Sequence, residues 1–172
     1  MKCKQWLVRL CCLLLLPVLA GCGGQTDRGN DYQDTVASLL ASFTQEEGNL
    51  CLCLESIAAS DAAPTPAQLD EAERDLTALS AVCDEIIALD APFPYGGRQK
   101  SLRGAMEQTK DAMARGQALV DFYCGYDEAF RAYADVEEGS REMREKALTL
   151  YTAFAEAVRQ ATASLHEAQK KW

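Results

Sequence analysis

The chain has 172 residues and a formal net charge of −9, with 17 basic against 26 acidic side chains. That length suits one domain, and the acidic excess excludes a nucleic-acid partner, whose phosphates call for a basic face. Its 8 cysteines make the compartment decisive, because disulfides form outside the cytoplasm and rarely within it.

The chain opens MKCKQWLVRLCCLLLLPVLAGCGG. Lys2, Lys4 and Arg9 form a positive start, and Leu10 to Ala20 are an apolar run of 11 residues. A helix needs about 20 residues to span a bilayer, so this run is too short to cross and has the length of a signal-peptide core. It ends in Leu19-Ala20-Gly21-Cys22. This ending resembles the lipobox of bacterial lipoproteins, over the signal segment alone. The resemblance implies that residues 1–21 are a cleaved signal peptide and that Cys22 carries a covalent lipid. It places the chain on the extracytoplasmic face of a bacterial cell membrane. That family shares an anchor and no common fold or activity, so the rest of the chain must be read on its own.

Removal of the signal takes Cys3, Cys11 and Cys12, and lipidation occupies Cys22, leaving Cys51, Cys53, Cys83 and Cys124. Residues 22–172 hold 14 basic and 26 acidic side chains, a charge of −12. Residues 22–95 carry 14 acidic and two basic residues, while 96–172 carry 12 of each. The asymmetry fits a well-solvated acidic surface, attraction between the two halves, or a face for a cationic ligand.

Cys22 with Gly23 to Asn30 reads as a lipidated cysteine on a short polar tether, reaching about 15 Å by random-coil statistics. The domain is expected over 31–172. Its first helix starts near Asp31, a suitable N-cap, with Val36, Leu39, Leu40, Phe43, Leu50, Leu54 and Ile57 at helical spacing. It stops in SDAAPTP, where Thr65, Pro66 and Gln68 make a capping box with proline at the first helical position. The second helix carries Leu69, Ala72, Leu76, Leu79, Val82, Cys83, Ile86 and Leu89, and ends at APFPYGG.

The third helix is expected from Arg98 to about Asp135, with Leu102, Met106, Thr109, Met113, Gly116 and Val120 inward. Gly116 and Gly125 weaken it. After a turn or kink near Gly139, Met143, Ala147, Leu150, Phe154, Ala157, Ala161, Leu165, Ala168 and Trp172 repeat at four-three spacing, as in a bundle seam. No segment alternates as a strand. LCLCL at 50–54 does alternate, but between two apolar types inside a helical pattern. The expected fold is all-α, an up-down-up-down antiparallel four-helix bundle. A three-helix variant treats 97–171 as one kinked element.

The close pair Cys51 and Cys53 must point apart on a helix, since each residue turns about 100°. That excludes a shared metal, and zinc spacing is absent. His166 is the only histidine. By helix rise from the end holding Asp31, Asp90 and Arg98, Cys83 stands about 10 Å up, Cys51 and Cys53 about 30 to 33 Å, and Cys124 about 39 Å. Bridged Cα atoms lie within about 7 Å. The expectation is one disulfide at most, Cys53–Cys124 or Cys51–Cys124, with Cys83 a buried thiol.

Phe122, Tyr126, Phe130 and Tyr133 recur at helical spacing, with Tyr151 and Phe154 available from the next helix. They are either core packing or an interhelical aromatic groove for a hydrophobic or glycan ligand. Arg98, Lys100 and Arg103 fall at the same end as Lys170, Lys171 and Trp172. They could touch an anionic membrane or pair with Asp31, Asp34, Asp84, Glu85 and Asp90. No calcium loop, phosphate loop, nucleophile elbow or zinc-protease motif occurs, so no catalytic or metal residue is expected, and no cofactor beyond the lipid on Cys22. The expected function is a non-catalytic binding or structural module of the bacterial envelope. Its partners would be the membrane, through the anchor, and an envelope protein or wall component. A small-molecule carrier is the alternative, and an envelope enzyme a more distant one.

Overall fold

The structure, a computed structural model, describes residues 27–60, 62–125 and 137–172. They form four helices: α1 Asp27–Ala58, α2 Pro66–Ala88, α3 Gly96–Cys124 and α4 Glu137–Gln169. Each helix packs against the next in sequence, and α4 returns to α1 to close the bundle. Cross-contacts fix the directions. Cys53 near the end of α1 meets Gln68 at the start of α2. Asp84 pairs with Lys110, and Ile87 with Arg103, so α2 and α3 run oppositely. Ser101 meets Lys171, and Gly116 meets Phe154, so α3 and α4 do too. Glu47 reaches Thr162 and Tyr32 stacks on Trp172, so α1 and α4 are antiparallel. The topology is the expected up-down-up-down four-helix bundle.

The core follows the helical spacing of the apolar residues. Phe43, Leu50, Leu54, Leu79, Ile86, Leu102, Met106, Leu119 and Phe154 are closed to solvent. α2 starts where its signals place it. The Gln68 backbone N–H donates to Thr65 Oγ1, the Thr65 N–H donates to Gln68 Oε1, and Pro66 takes the first turn. Such a cap is worth about 1 kcal/mol. Gly116 is packed between side chains of two other helices. A Cβ there would lie 3.0 Å from Leu54 and 3.1 Å from Phe154, so its lack of a side chain lets α1 and α4 close on α3.

Four boundaries differ from expectation. α1 begins at Asp27 rather than Asp31. Asp31 lies inside the helix, where its carbonyl accepts from Thr35 Oγ1, and Gly29 and Tyr32 are buried. The tether therefore loses 27–30 to the domain. Polar side chains concealed this, because the burial comes from a glycine and a tyrosine rather than an aliphatic stripe. α3 begins at Gly96, two residues before Arg98, with Tyr95 as its N-cap. It ends at Cys124 with Gly125 as its C-cap, well short of Asp135. α4 begins at Glu137, just before Gly139. The Phe93–Pro94 peptide between α2 and α3 is cis.

Candidate functional site

The end of the bundle nearest Cys22 in sequence carries an aromatic cluster from three elements. Tyr32 of α1 lies 5.4 Å from Tyr95 and 5.7 Å from Trp172, and Tyr95 lies 6.0 Å from Trp172. Arg98 stands over the Tyr95 ring at 5.4 Å, a cation–π distance. Beneath the rings, Gln99 is buried and hydrogen-bonded at both ends of its amide. Burial pushes the Tyr32 hydroxyl above its ordinary pKa, partly opposed by Arg103. Arg103 Nε donates to Ile87 O at 3.0 Å, and Lys171 Nζ to Ser101 Oγ at 2.8 Å. The expected basic cluster and the C-terminal lysines thus do share one end. Of the acids named as its partners, Asp84 pairs with Lys110, higher in the bundle, and Lys170 pairs with Glu167 on its own helix. Beside this cluster Phe93 projects from the α2–α3 turn with 99% of its surface exposed.

Sequence reasoning missed Tyr32, Tyr95 and Gln99. Tyr95 stands in a turn rich in proline and glycine, and Gln99 is polar, so neither enters an apolar stripe. Trp172 was within reach, since it continues the α4 seam.

Halfway up, Glu47 of α1 faces α4, and its carboxylate accepts from Thr162 Oγ1 at 3.1 Å. Burial raises its pKa, and the Thr162 hydrogen bond partly offsets this. Cys83 of α2 is fully buried, and burial pushes its thiol up to about 12. Cys53 is half-buried and is pushed up to about 11, first by burial and then by Glu71 and Asp75. Burial raises Cys124 as well, with Glu73, Asp121 and Asp70 adding to it. A reactive cysteine needs a lowered pKa. These three are raised, which suits packing and not nucleophilic work.

The expected bridge from Cys124 to Cys53 or Cys51 is not formed, and the described residues hold no disulfide. The register explains why. Leu54 is level with Gly116, where their groups would nearly touch. Cys124 lies eight residues beyond Gly116, about 12 Å along the axis, past the reach of a disulfide. The two thiols also sit over different sides of α2. Cys53 Sγ donates to Gln68 O and neighbours Glu71 and Asp75, whereas Cys124 neighbours Asp70 and Glu73. Heights counted from the helix ends put Cys124 too low because the ends are not level: with Leu54 beside Gly116, the start of α1 overhangs the start of α3 by about two turns.

Of the expected aromatic groove, Tyr126, Phe130 and Tyr133 lie outside the described residues. Phe154 is 1% exposed and belongs to the core against Gly116, so it offers no wall to a ligand. Phe122 and Tyr151 are half-buried against the core; Phe122 packs on Tyr123 at 5.1 Å and Tyr151 on Phe154 at 6.2 Å. A separate groove of about 480 Å³ runs between α1 and α2, lined by Asn49, Leu52, Cys53, Gln68, Glu71 and Asp75.

Among the described residues no three His, Cys, Asp or Glu side chains converge as a metal site would require. No described helix is long and apolar enough to cross a membrane. By fold the chain is an antiparallel four-helix bundle. Comparison with protein-family models, with curated proteins and with solved structures found no match.

Proposed function

We propose that this chain is a lipoprotein of the bacterial cell envelope, anchored through Cys22 on the extracytoplasmic face of a membrane. Its bundle acts there as a non-catalytic binding or structural module. The observation that carries the reading is Leu19-Ala20-Gly21-Cys22, placed directly after an apolar run too short to span. The raised thiols, with no nucleophile motif in the sequence, add support for a role without chemistry. The partner sought is an envelope protein or a wall component.

The test is the intact mass of the detergent-extracted protein beside its Cys22→Ser variant. A lipid mass on a chain beginning at Cys22, with the variant released from the membrane fraction, is the expected result. An unlipidated chain, or a variant that stays in the membrane, overturns the anchor. Crosslinking in whole cells then tests the binding role. A ligand-dependent rise in melting temperature would favour the small-molecule carrier instead, since a ligand bound only by the folded state stabilises it.

A further inference from the structure

The α2–α3 turn presents Phe93 almost wholly to solvent, between Pro92 and Pro94. It is the most exposed of the large apolar side chains described; the others are Leu52 at 62% and Leu148 at 54%. The bundle end on which Phe93 stands also gathers Arg28, Arg98, Lys100, Arg103, Lys170 and Lys171. Its acids are Asp31, Asp34, Glu85, Asp90 and Glu167, so this end is close to neutral although residues 22–172 carry −12. The opposite turn, between α1 and α2, carries Glu55, Asp70, Glu71, Glu73 and Asp75 against Arg74. An anionic leaflet therefore repels this end less than it repels the α1–α2 turn.

Chain length brings the same end to the membrane. Asp27, the first residue of α1, is five residues after Cys22. Fully extended, five residues reach about 18 Å at most, whereas the 32 residues of α1 run about 48 Å. A lipid on Cys22 thus holds the start of α1 against the headgroups and keeps it from riding free on a stalk. Tyr32, Tyr95 and Trp172 lock the α2–α3 turn to that start, so Phe93 travels with it.

We propose that the bundle stands on this end, with Phe93 inserted among the headgroups of an anionic bilayer and the surrounding cations on its phosphates. Aromatic rings favour the membrane interface, and each cation near an anionic surface favours contact by about fivefold. The lipid would then be one of two attachments, and the second would fix which end of the bundle faces the membrane. The acidic α1–α2 turn would point away from the membrane. This inference rests on the lipid-anchor reading.

The experiment uses the full chain, extracted with detergent and checked for its lipid by intact mass. It is reconstituted into vesicles of phosphatidylcholine and phosphatidylglycerol carrying brominated acyl chains. Phe93→Trp places a reporter on the exposed turn, and Leu52→Trp places one on α1 towards the far end. The unsubstituted protein gives the background from Trp172. Blue-shifted and quenched emission from Phe93→Trp alone is the expected result. A lipidated chain whose Phe93→Trp emission is unquenched and solvent-like overturns the inference and leaves the anchor standing. Quenching of Leu52→Trp as well means that the bundle lies flat, and overturns the upright orientation. A chain without lipid overturns both readings.

Discussion

The Tyr32 hydroxyl donates a 2.7 Å hydrogen bond to Gln99 Oε1, and Gln99 Nε2 donates in turn to Ile86 O at 2.6 Å and Leu89 O at 3.3 Å. One buried amide therefore joins α1, the end of α2 and the start of α3. It gives Leu89 O a partner and adds a second donor to Ile86 O, which also accepts from the Leu89 N–H. Gln99→Ala strands the Tyr32 hydroxyl and Leu89 O and weakens the bonding of Ile86 O, and each buried orphan costs about 1–3 kcal/mol. The expected loss is about 3 kcal/mol. Tyr32→Phe keeps the rings together and removes one donor, for a loss of about 1 kcal/mol. Urea unfolding of both variants checks the order. A larger loss from Tyr32→Phe would show that Gln99 is not the centre of the network.

Gly116 is set by space. Alanine there gains about 1 kcal/mol of helix propensity, but its methyl group would meet Leu54 at 3.0 Å and Phe154 at 3.1 Å. Both neighbours are closed into the core, so the two effects nearly cancel. Gly116→Leu has no such balance, and overpacking of this kind costs about 1–3 kcal/mol. Thermal unfolding should therefore find Gly116→Ala close to the parent and Gly116→Leu clearly lower. A Gly116→Leu variant as stable as the parent would mean that α1 and α4 do not converge on this residue.

Much of this packing was legible in the sequence. Leu102, Met106, Thr109, Met113, Gly116 and Val120 all turn inward as their spacing requires. The α4 seam places Met143, Ala147, Phe154, Ala161, Leu165 and Ala168 in the core. Thr65, Pro66 and Gln68 cap α2 as written, because a capping box is a local device whose partners are three residues apart. What failed was register. The cysteine heights assumed that α1 and α3 start level, whereas α1 overhangs α3, an offset held by Tyr32 stacking on rings from distant parts of the chain. Gln99 and Glu47 were illegible for a related reason. Each is polar and buried by its neighbours, and a pattern of apolar residues says nothing about either. Phe93 sits in a turn, where periodicity carries no information.

Glu47 gives the fold a distinct pH dependence. Burial holds its carboxyl above the ordinary range. The native state therefore keeps a proton over a range of pH where the unfolded chain has released it. Stability falls as pH rises through that range, from about 4.3 upward. The penalty is absent at acid pH and grows as pH rises towards the native pKa. Glu47→Gln keeps an oxygen able to accept from Thr162 and carries no charge. It should be more stable than the parent at neutral pH and equal to it below about pH 4. Chemical denaturation across pH measures the difference between the two proteins, in which the other carboxyls cancel. A difference that stays flat with pH, or reverses, would show that Glu47 is not held in a desolvated site.

The cysteines should separate by alkylation under native conditions. Cys124 is exposed, Cys53 is half-buried with its thiol pushed up to about 11, and Cys83 is fully buried and pushed up to about 12. The reactive species is the thiolate, so both access and pKa rank them alike. Iodoacetamide at neutral pH should label Cys124 first, Cys53 slowly, and Cys83 only after unfolding. Peptide mapping without prior reduction reads both the order and any bridge. Rapid labelling of Cys83 would mean that the α2 core opens readily. A Cys53–Cys124 bridge in the native protein would demand a shift of α3 by about two turns against α1, because helix rise sets the two residues about 12 Å apart along the axis. That outcome would overturn the register fixed here by Gly116, Leu54 and Phe154.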